Sequence, residues 1–250
     1  MQNSGSQPRT RCATCAIRER AICAYCSPED LKRLDAIKSY KVYAKGSTIV
    51  TAGERSPFVG SIVNGVVALS QTLMDGRAQI VGLQFPSDFL GGAFRETAPC
   101  DAIAASEVLL CQFERAAFDA LMRDLPTLRA RLLDITITEL DASRDWLTLL
   151  GQKTAREKLS SFLLMLLRRA NPTPDDAVVV ELPLTRAEIG RFLGLTIETV
   201  SRQLSSLRAA GLIQLEDHRR VMVLDAAALA AEAGEAAAAT VVKDVASGSR

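Results

Sequence analysis

Histidine is nearly missing from this 250-residue sequence, which carries only His218. Its scarcity removes most nucleophile–base pairs built on imidazole and most mixed Cys/His zinc sites, and so weighs against an enzyme. An excess of either charge is missing too, since 30 Lys and Arg stand against 29 Asp and Glu. A net charge of +1 gives no global field, so any nucleic-acid contact must come from local placement of basic side chains. No apolar run reaches the length of a bilayer span, and Met1 to Thr10 lacks the apolar core of a secretory signal. The chain is therefore expected in the cytoplasm, away from membranes. With 48% hydrophobic and 24% charged residues, the balance is still that of a globular protein.

Against these absences stand six cysteines. In a reducing compartment they point to metal or redox chemistry rather than to a disulfide framework. Four of them, Cys12, Cys15, Cys23 and Cys26, fall within fifteen residues. One reading is a self-contained zinc site of four thiolates from two C-x2-C pairs, which would be purely structural. The other is an iron–sulfur cluster on three of these thiolates with a fourth from elsewhere, for which Cys100 and Cys111 are the candidates.

Beyond this cysteine-rich segment, taken as residues 1–30, the pattern predicts an α+β chain. From about Tyr40 to Phe113, short β-branched runs alternate with turn signals. Lys45-Gly46, Asn64-Gly65 and Asp75-Gly76 read as tight hairpins of an antiparallel β-roll within a domain at 31–125. A long helix over 126–152 follows, with Leu133, Leu140 and Leu147 recurring every seven residues. Arg129, Thr136, Ser143 and Leu150 fill the alternate heptad positions, giving a seam for a homodimer weakened by its polar members. A second set, Leu128, Leu132, Ile135 and Leu149, is left to pack on the barrel. A second helix, Thr154 to Ala170, ends at the turn Asn171-Pro-Thr-Pro-Asp-Asp, and an Ala-rich tail occupies 226–250.

Within 153–225 the spacing predicts a winged helix-turn-helix. Thr185-Arg-Ala-Glu188 has the form of a capping box, Gly194-Leu195 breaks the helix, and a second helix restarts at Thr196. Val200, Leu204 and Leu207 share one face of it, leaving Glu198, Ser201, Arg202 and Ser205 on the other. Arg can bond guanine bidentately and Glu can accept from cytosine, although Glu198 and Arg202 could equally form an exposed i,i+4 ion pair. What favours double-stranded DNA as the partner is the hairpin that follows, Gly211 to Leu224. Its basic tip offers Arg219 and Arg220 to phosphates. Eleven basic and nine acidic residues in this module give little net attraction, so two half-sites on a dimer are expected.

Taken together, Cys12-x2-Cys15-x7-Cys23, the strand Leu110-Cys-Gln-Phe, the long helix and Glu198-Thr-Val-Ser-Arg202 resemble the FNR branch of the CRP/FNR superfamily of transcription regulators, in particular its FnrL-type anaerobic members. The resemblance implies a [4Fe–4S] cluster on Cys12, Cys15, Cys23 and Cys111, with Cys26 an extra thiol and Cys100 outside the pattern. It implies that oxygen converts the cluster to [2Fe–2S] and then removes it, weakening the dimer and releasing DNA. It further implies a twofold TTGAT-like site read by Glu198, Ser201 and Arg202, and RNA polymerase contact by the hairpin around Thr72 to Gln79. The sequence departs from the family at Ser143, where a regulatory acidic residue is expected. It also lacks the cyclic-nucleotide pattern: no carboxylate adjoins Gly91-Gly92, and Cys100-Asp-Ala-Ile stands where an Arg-Ser pair would fall. No cyclic nucleotide is expected. The alternative is a zinc-stabilised regulator of the same type that does not sense oxygen.

Overall fold

The computed structural model describes residues 11–92, 94–170 and 178–235. The Asn171 turn and the last part of the Ala-rich tail fall outside them. The chain divides into two compact units, 1–144 and 145–250. The division lies inside the long helix, at Arg144 and Asp145, rather than at its end.

The first unit begins with a short 3-10 helix (Cys12–Thr14) and α1 (Pro28–Ile37), then β1 (Lys38–Tyr43), β2 (Thr48–Val50), β3 (Phe58–Asn64), β4 (Val67–Thr72), β5 (Ala78–Gln84), β6 (Phe89–Leu90), β7 (Asp101–Ala104) and β8 (Val108–Glu114). Helices α2 (Arg115–Asp124) and α3 (Pro126–Gln152) follow. The strands form two antiparallel sheets, β1-β8-β3-β6 and β2-β7-β4-β5. Side chains alternate along a strand, so β8 faces two ways. Val108 and Leu110 enter one apolar core with Ile49, Ile62, Val67 and Ala102. Cys111 and Phe113 enter another with Val59, Phe89, Leu34, Phe118 and Met122.

The three X-Gly pairs do not all close hairpins. Asp75-Gly76 joins β4 to its partner β5. Lys45-Gly46 and Asn64-Gly65 instead carry the chain from one sheet to the other, since β1 and β3 pair with β8 while β2 and β4 pair with β7. At the second of these corners Gly65 has φ +90°, and a Cβ there would lie 2.1 Å from the Glu107 carbonyl oxygen, so only glycine fits. Helix α1 is absent from the expectations above, yet Ser27-Pro28-Glu-Asp30 encodes it. Ser27 and Asp30 form a capping box and Pro28 stands at the first helical position.

Helix α3 has the bounds its sequence predicts. Its Leu128 is fully buried and Leu132 and Ile135 pack partly against the same core. Leu149 is also buried but belongs to the second unit, which corrects its assignment to the barrel-facing set. Arg129 is exposed, and its guanidinium caps α2 by donating to the Met122 and Arg123 carbonyls at 2.7 and 2.6 Å. Thr136 and Ser143 turn their hydroxyls onto the carbonyls of Leu132 and Glu139 in the preceding helical turn. Leu133, Leu140 and Leu147 are exposed, with Leu150 half-buried. Ile137, which the heptad reading passed over, is exposed beside them.

The second unit takes the end of α3, then α4 (Ala155–Ala170), β9 (Val178–Glu181), α5 (Arg186–Leu193), α6 (Ile197–Ala209), β10 (Ile213–Leu215), β11 (Arg220–Val223) and α7 (Ala226–Glu232). Strands β10 and β11 are the expected hairpin, and β9 adds a third strand to it in the order β10-β11-β9. The Trp146 ring stacks on Phe192 of α5 at 4.0 Å between centroids, and Phe162 meets the same ring edge-on. Arg156 binds Glu232 through two nitrogens at 2.5 and 2.9 Å, tying α7 back to α4.

Phe118, fully buried and 5.5 Å from both Phe89 and Phe113, is the centre of the core behind β8. Phe118→Ala is expected to destabilise the first unit by about 3–5 kcal/mol, measurable as a lowered urea midpoint by circular dichroism.

Candidate functional site

The cysteine segment is held by apolar anchors. Ile17, Ala21 and Ile22 are buried against the outer face of the β8 sheet, and carry Cys12, Cys23 and Cys26 into the same core as Cys111. Cys15 packs at its edge. Burial pushes the Cys12, Cys26 and Cys111 thiols up to about 12, and raises Cys23 as well. The thiols that add to the rise at Cys111 are Cys12, Cys15 and Cys23, whereas Cys26 feels Cys23. Cys12, Cys23, Cys26 and Cys111 thus share one core, with Cys15 packed at its edge.

Cys100 stands elsewhere. It lines a cavity of about 430 Å³ with Gln84, Leu90, Gly91, Arg95 and Glu139. Among the described residues no group of three or more His, Cys, Asp or Glu is arranged to hold a metal ion.

Two features around the thiols escaped the sequence reading. The Asp35 carboxylate accepts the Cys12 backbone N–H at 3.0 Å and pairs with the Lys38 ammonium, which lies 3.6 Å from Cys12 Sγ. The Lys38 and Cys12 contacts hold the Asp35 carboxyl at about 2. The other feature joins the cysteine loop to α3. Arg131 donates to the carbonyls of Ala21, at 3.2 Å, and Arg20, and lies over the Tyr25 ring at 5.3 Å. The Tyr25 hydroxyl donates to Asp134 at 2.7 Å. Neither feature has a local signal, because each joins residues far apart in sequence.

The second site is built on α5 and α6. Thr185 and Glu188 form the predicted capping box, and Gly194, with φ +65°, ends α5 in the left-handed conformation. Thr196 caps α6, accepting from the Thr199 N–H at 3.2 Å. Val200, Leu204 and Leu207 are buried, so Glu198, Arg202 and Ser205 are exposed and Ser201 is half-buried. No ion pair among the described residues joins Glu198 to Arg202. Glu198 is instead held below the usual carboxylate range by its own backbone N–H and by Thr196, and Arg202 donates to the Thr199 hydroxyl at 3.3 Å. Both side chains lie at the surface of α6.

Arg186, which the motif reading omitted, reaches across from α5 to the Ser201 hydroxyl at 3.3 Å. At the wing, Asp217 accepts the N–H groups of Arg219 and Arg220, at 2.6 and 2.8 Å, shaping the tip. The Arg219 side chain is exposed there, while Arg220 pairs with Glu216 at 3.2 Å.

Residues 157–232 match the Crp-like helix-turn-helix domain family, and residues 40–124 the cyclic nucleotide-binding domain family. The chain is 46% identical over 229 residues to the transcriptional activator protein FnrL of Cereibacter sphaeroides, covering 90% of this chain and 92% of that one. It is 35% identical to the nitrogen fixation regulation protein FixK of Bradyrhizobium diazoefficiens, covering 86% and 91%. Among solved structures, FixK2 from Bradyrhizobium japonicum superposes with a TM-score of 0.72 at 30% identity, over 81% of this chain and 100% of that one.

Burial pushes Cys12, Cys26 and Cys111 well above an ordinary thiol, and so leaves them far less thiolate at neutral pH. In the metal-free folded protein at neutral pH, mass spectrometry should find these three alkylated by iodoacetamide far more slowly than after unfolding in urea.

Proposed function

The chain belongs to the CRP/FNR family of DNA-binding transcription regulators, and from that premise we propose that it is a cytoplasmic, oxygen-responsive activator governed by a [4Fe–4S] cluster. The observation that carries this reading is the shared burial of Cys111 with Cys12 and Cys23, with Cys15 packed at the edge of the same core. A residue of strand β8, far along the chain from the cysteine segment, joins its thiols, with no histidine or carboxylate in the set. The donor chemistry fits an iron–sulfur centre. These four would hold the cluster. When bound, it supplies an oxygen-reactive redox centre.

The chain's own residues supply the rest. Ligation of all four thiols would tie the segment from Cys12 to Cys23 to strand β8, and Arg131, Tyr25 and Asp134 would pass that restraint to α3. On α3, Leu133, Ile137, Leu140 and Leu147 offer an apolar stripe to a second copy. Restraint of the loop would then favour the dimer, and release would disfavour it.

In the dimer, α6 of each subunit would enter a major groove of a twofold TTGAT-like site. Arg202 and Glu198 would read bases, Ser201 would assist, and Arg219 and Arg220 would hold phosphates. The β4–β5 hairpin, where Leu73 and Met74 are exposed, would meet RNA polymerase.

Protein purified without oxygen is expected to carry about four irons per subunit, with a broad visible absorption that bleaches in air. Cys111→Ser should abolish this absorption and Cys100→Ser should leave it. A colourless protein holding one zinc would overturn the sensor and leave DNA binding standing. Arg202→Ala should cost about 1–3 kcal/mol and relax preference at one base position of each half-site, as read by binding to a panel of half-site variants.

A further inference from the structure

Lys38 is an unusual neighbour for a thiol centre. Its side chain is only 9% exposed, and it lies at the edge of a core that holds four buried cysteines, with Cys15 packed against them. Its carboxylate partner Asp35 lies on the water side of the pair, 41% exposed. The inner side faces Cys12 Sγ at 3.6 Å and the Tyr40 ring at 5.4 Å. A buried cation is costly unless charge compensates it. Asp35 compensates part, and it also fixes the Cys12 backbone N–H at 3.0 Å, so the pair is anchored to the residue whose sulfur it touches.

We propose that Lys38 is a positioning residue that sets how readily oxygen attacks the iron–sulfur centre, by presenting a fixed positive charge and an N–H donor to the sulfur of Cys12. This inference rests on the reading of Cys12 as a cluster ligand. Four thiolates around a [4Fe–4S] core of charge +2 leave a net charge of −2, and the ammonium offsets part of it. Oxidation takes one electron from that centre and gives it to dioxygen, which becomes superoxide, so the centre's negative charge falls. A nearby cation stabilises the more negative state more strongly, and therefore opposes the loss. Asp35 acts with the opposite sign on the same sulfur. While Cys12 is protonated, Asp35 can accept its S–H. Ligation would remove that proton, and with it the Asp35 contact to the sulfur.

The opposed signs give a test that a merely structural pair would fail. Wild type, Lys38→Met and Asp35→Asn are purified without oxygen, assayed for iron and sulfide, and mixed with a fixed amount of dissolved oxygen while the visible absorption is followed. Circular dichroism of the metal-free proteins checks the fold. Lys38→Met is expected to bleach at least about threefold faster than wild type, and Asp35→Asn no faster than wild type. Faster bleaching in both variants, or a change below about threefold in Lys38→Met, would overturn the proposal. A folded Lys38→Met protein without iron, beside an Asp35→Asn protein that holds it, supports the same charge role acting already at assembly; loss of iron from both overturns it. A wild-type protein without iron would instead remove the cluster reading itself.

Discussion

The two-residue alternation of strand β8 is the constraint on which the first unit depends. Because Leu110 points between the sheets, Cys111 must point the other way, onto a face that α1, α2 and the start of α3 cover with Leu34, Phe118 and Leu128. The cysteine segment then needs only to bury Ile17, Ala21 and Ile22 on that face to bring its thiols to Cys111. Packing comes first and the donor set follows from it. A shift of one residue in β8 would send the thiol into the inter-sheet core and put a leucine among the cysteines.

Local signals made much of this legible. Periodicity along α3 gave its bounds, and the Thr185 capping box with Gly194 gave the helix-turn-helix, since these depend on neighbours in the chain. Glycine pairs were a weaker guide: Asn64-Gly65 marks a turn, but the turn changes sheets, which depends on the approach of Glu107 from far along the chain. The stripe on α3 was half legible. Leu133 and Leu140 stood out at heptad spacing, while Ile137 belongs to the same face by an i+4 step that a strict seven-residue count passes over. The capping of α2 by Arg129 was not legible, because it depends on how two consecutive helices meet.

The site follows the same division. The residues of α6 could be assigned from one helical face, but Arg186 could not, because its contact with Ser201 crosses the turn between α5 and α6. Four cysteines stood out by spacing, and the choice of Cys12, Cys15 and Cys23 among them rested on family likeness. Their partner strand was suggested by family likeness, and Lys38, Asp35, Arg131 and Tyr25 by nothing in the sequence, since each acts through a tertiary contact.

Burial of the thiols also bears on what befalls the chain between loadings. Sulfenic acid forms on thiolates that solvent can reach, and further oxidation of sulfur is irreversible. Under the proposed reading, a chain that keeps Cys12, Cys23 and Cys111 covered would lose its metal without losing its ligands. Each thiol would have to give up its proton when metal returned, so reloading would be coupled to the acidity of the surroundings. The apolar face that gathers these thiols would thereby make the set reusable.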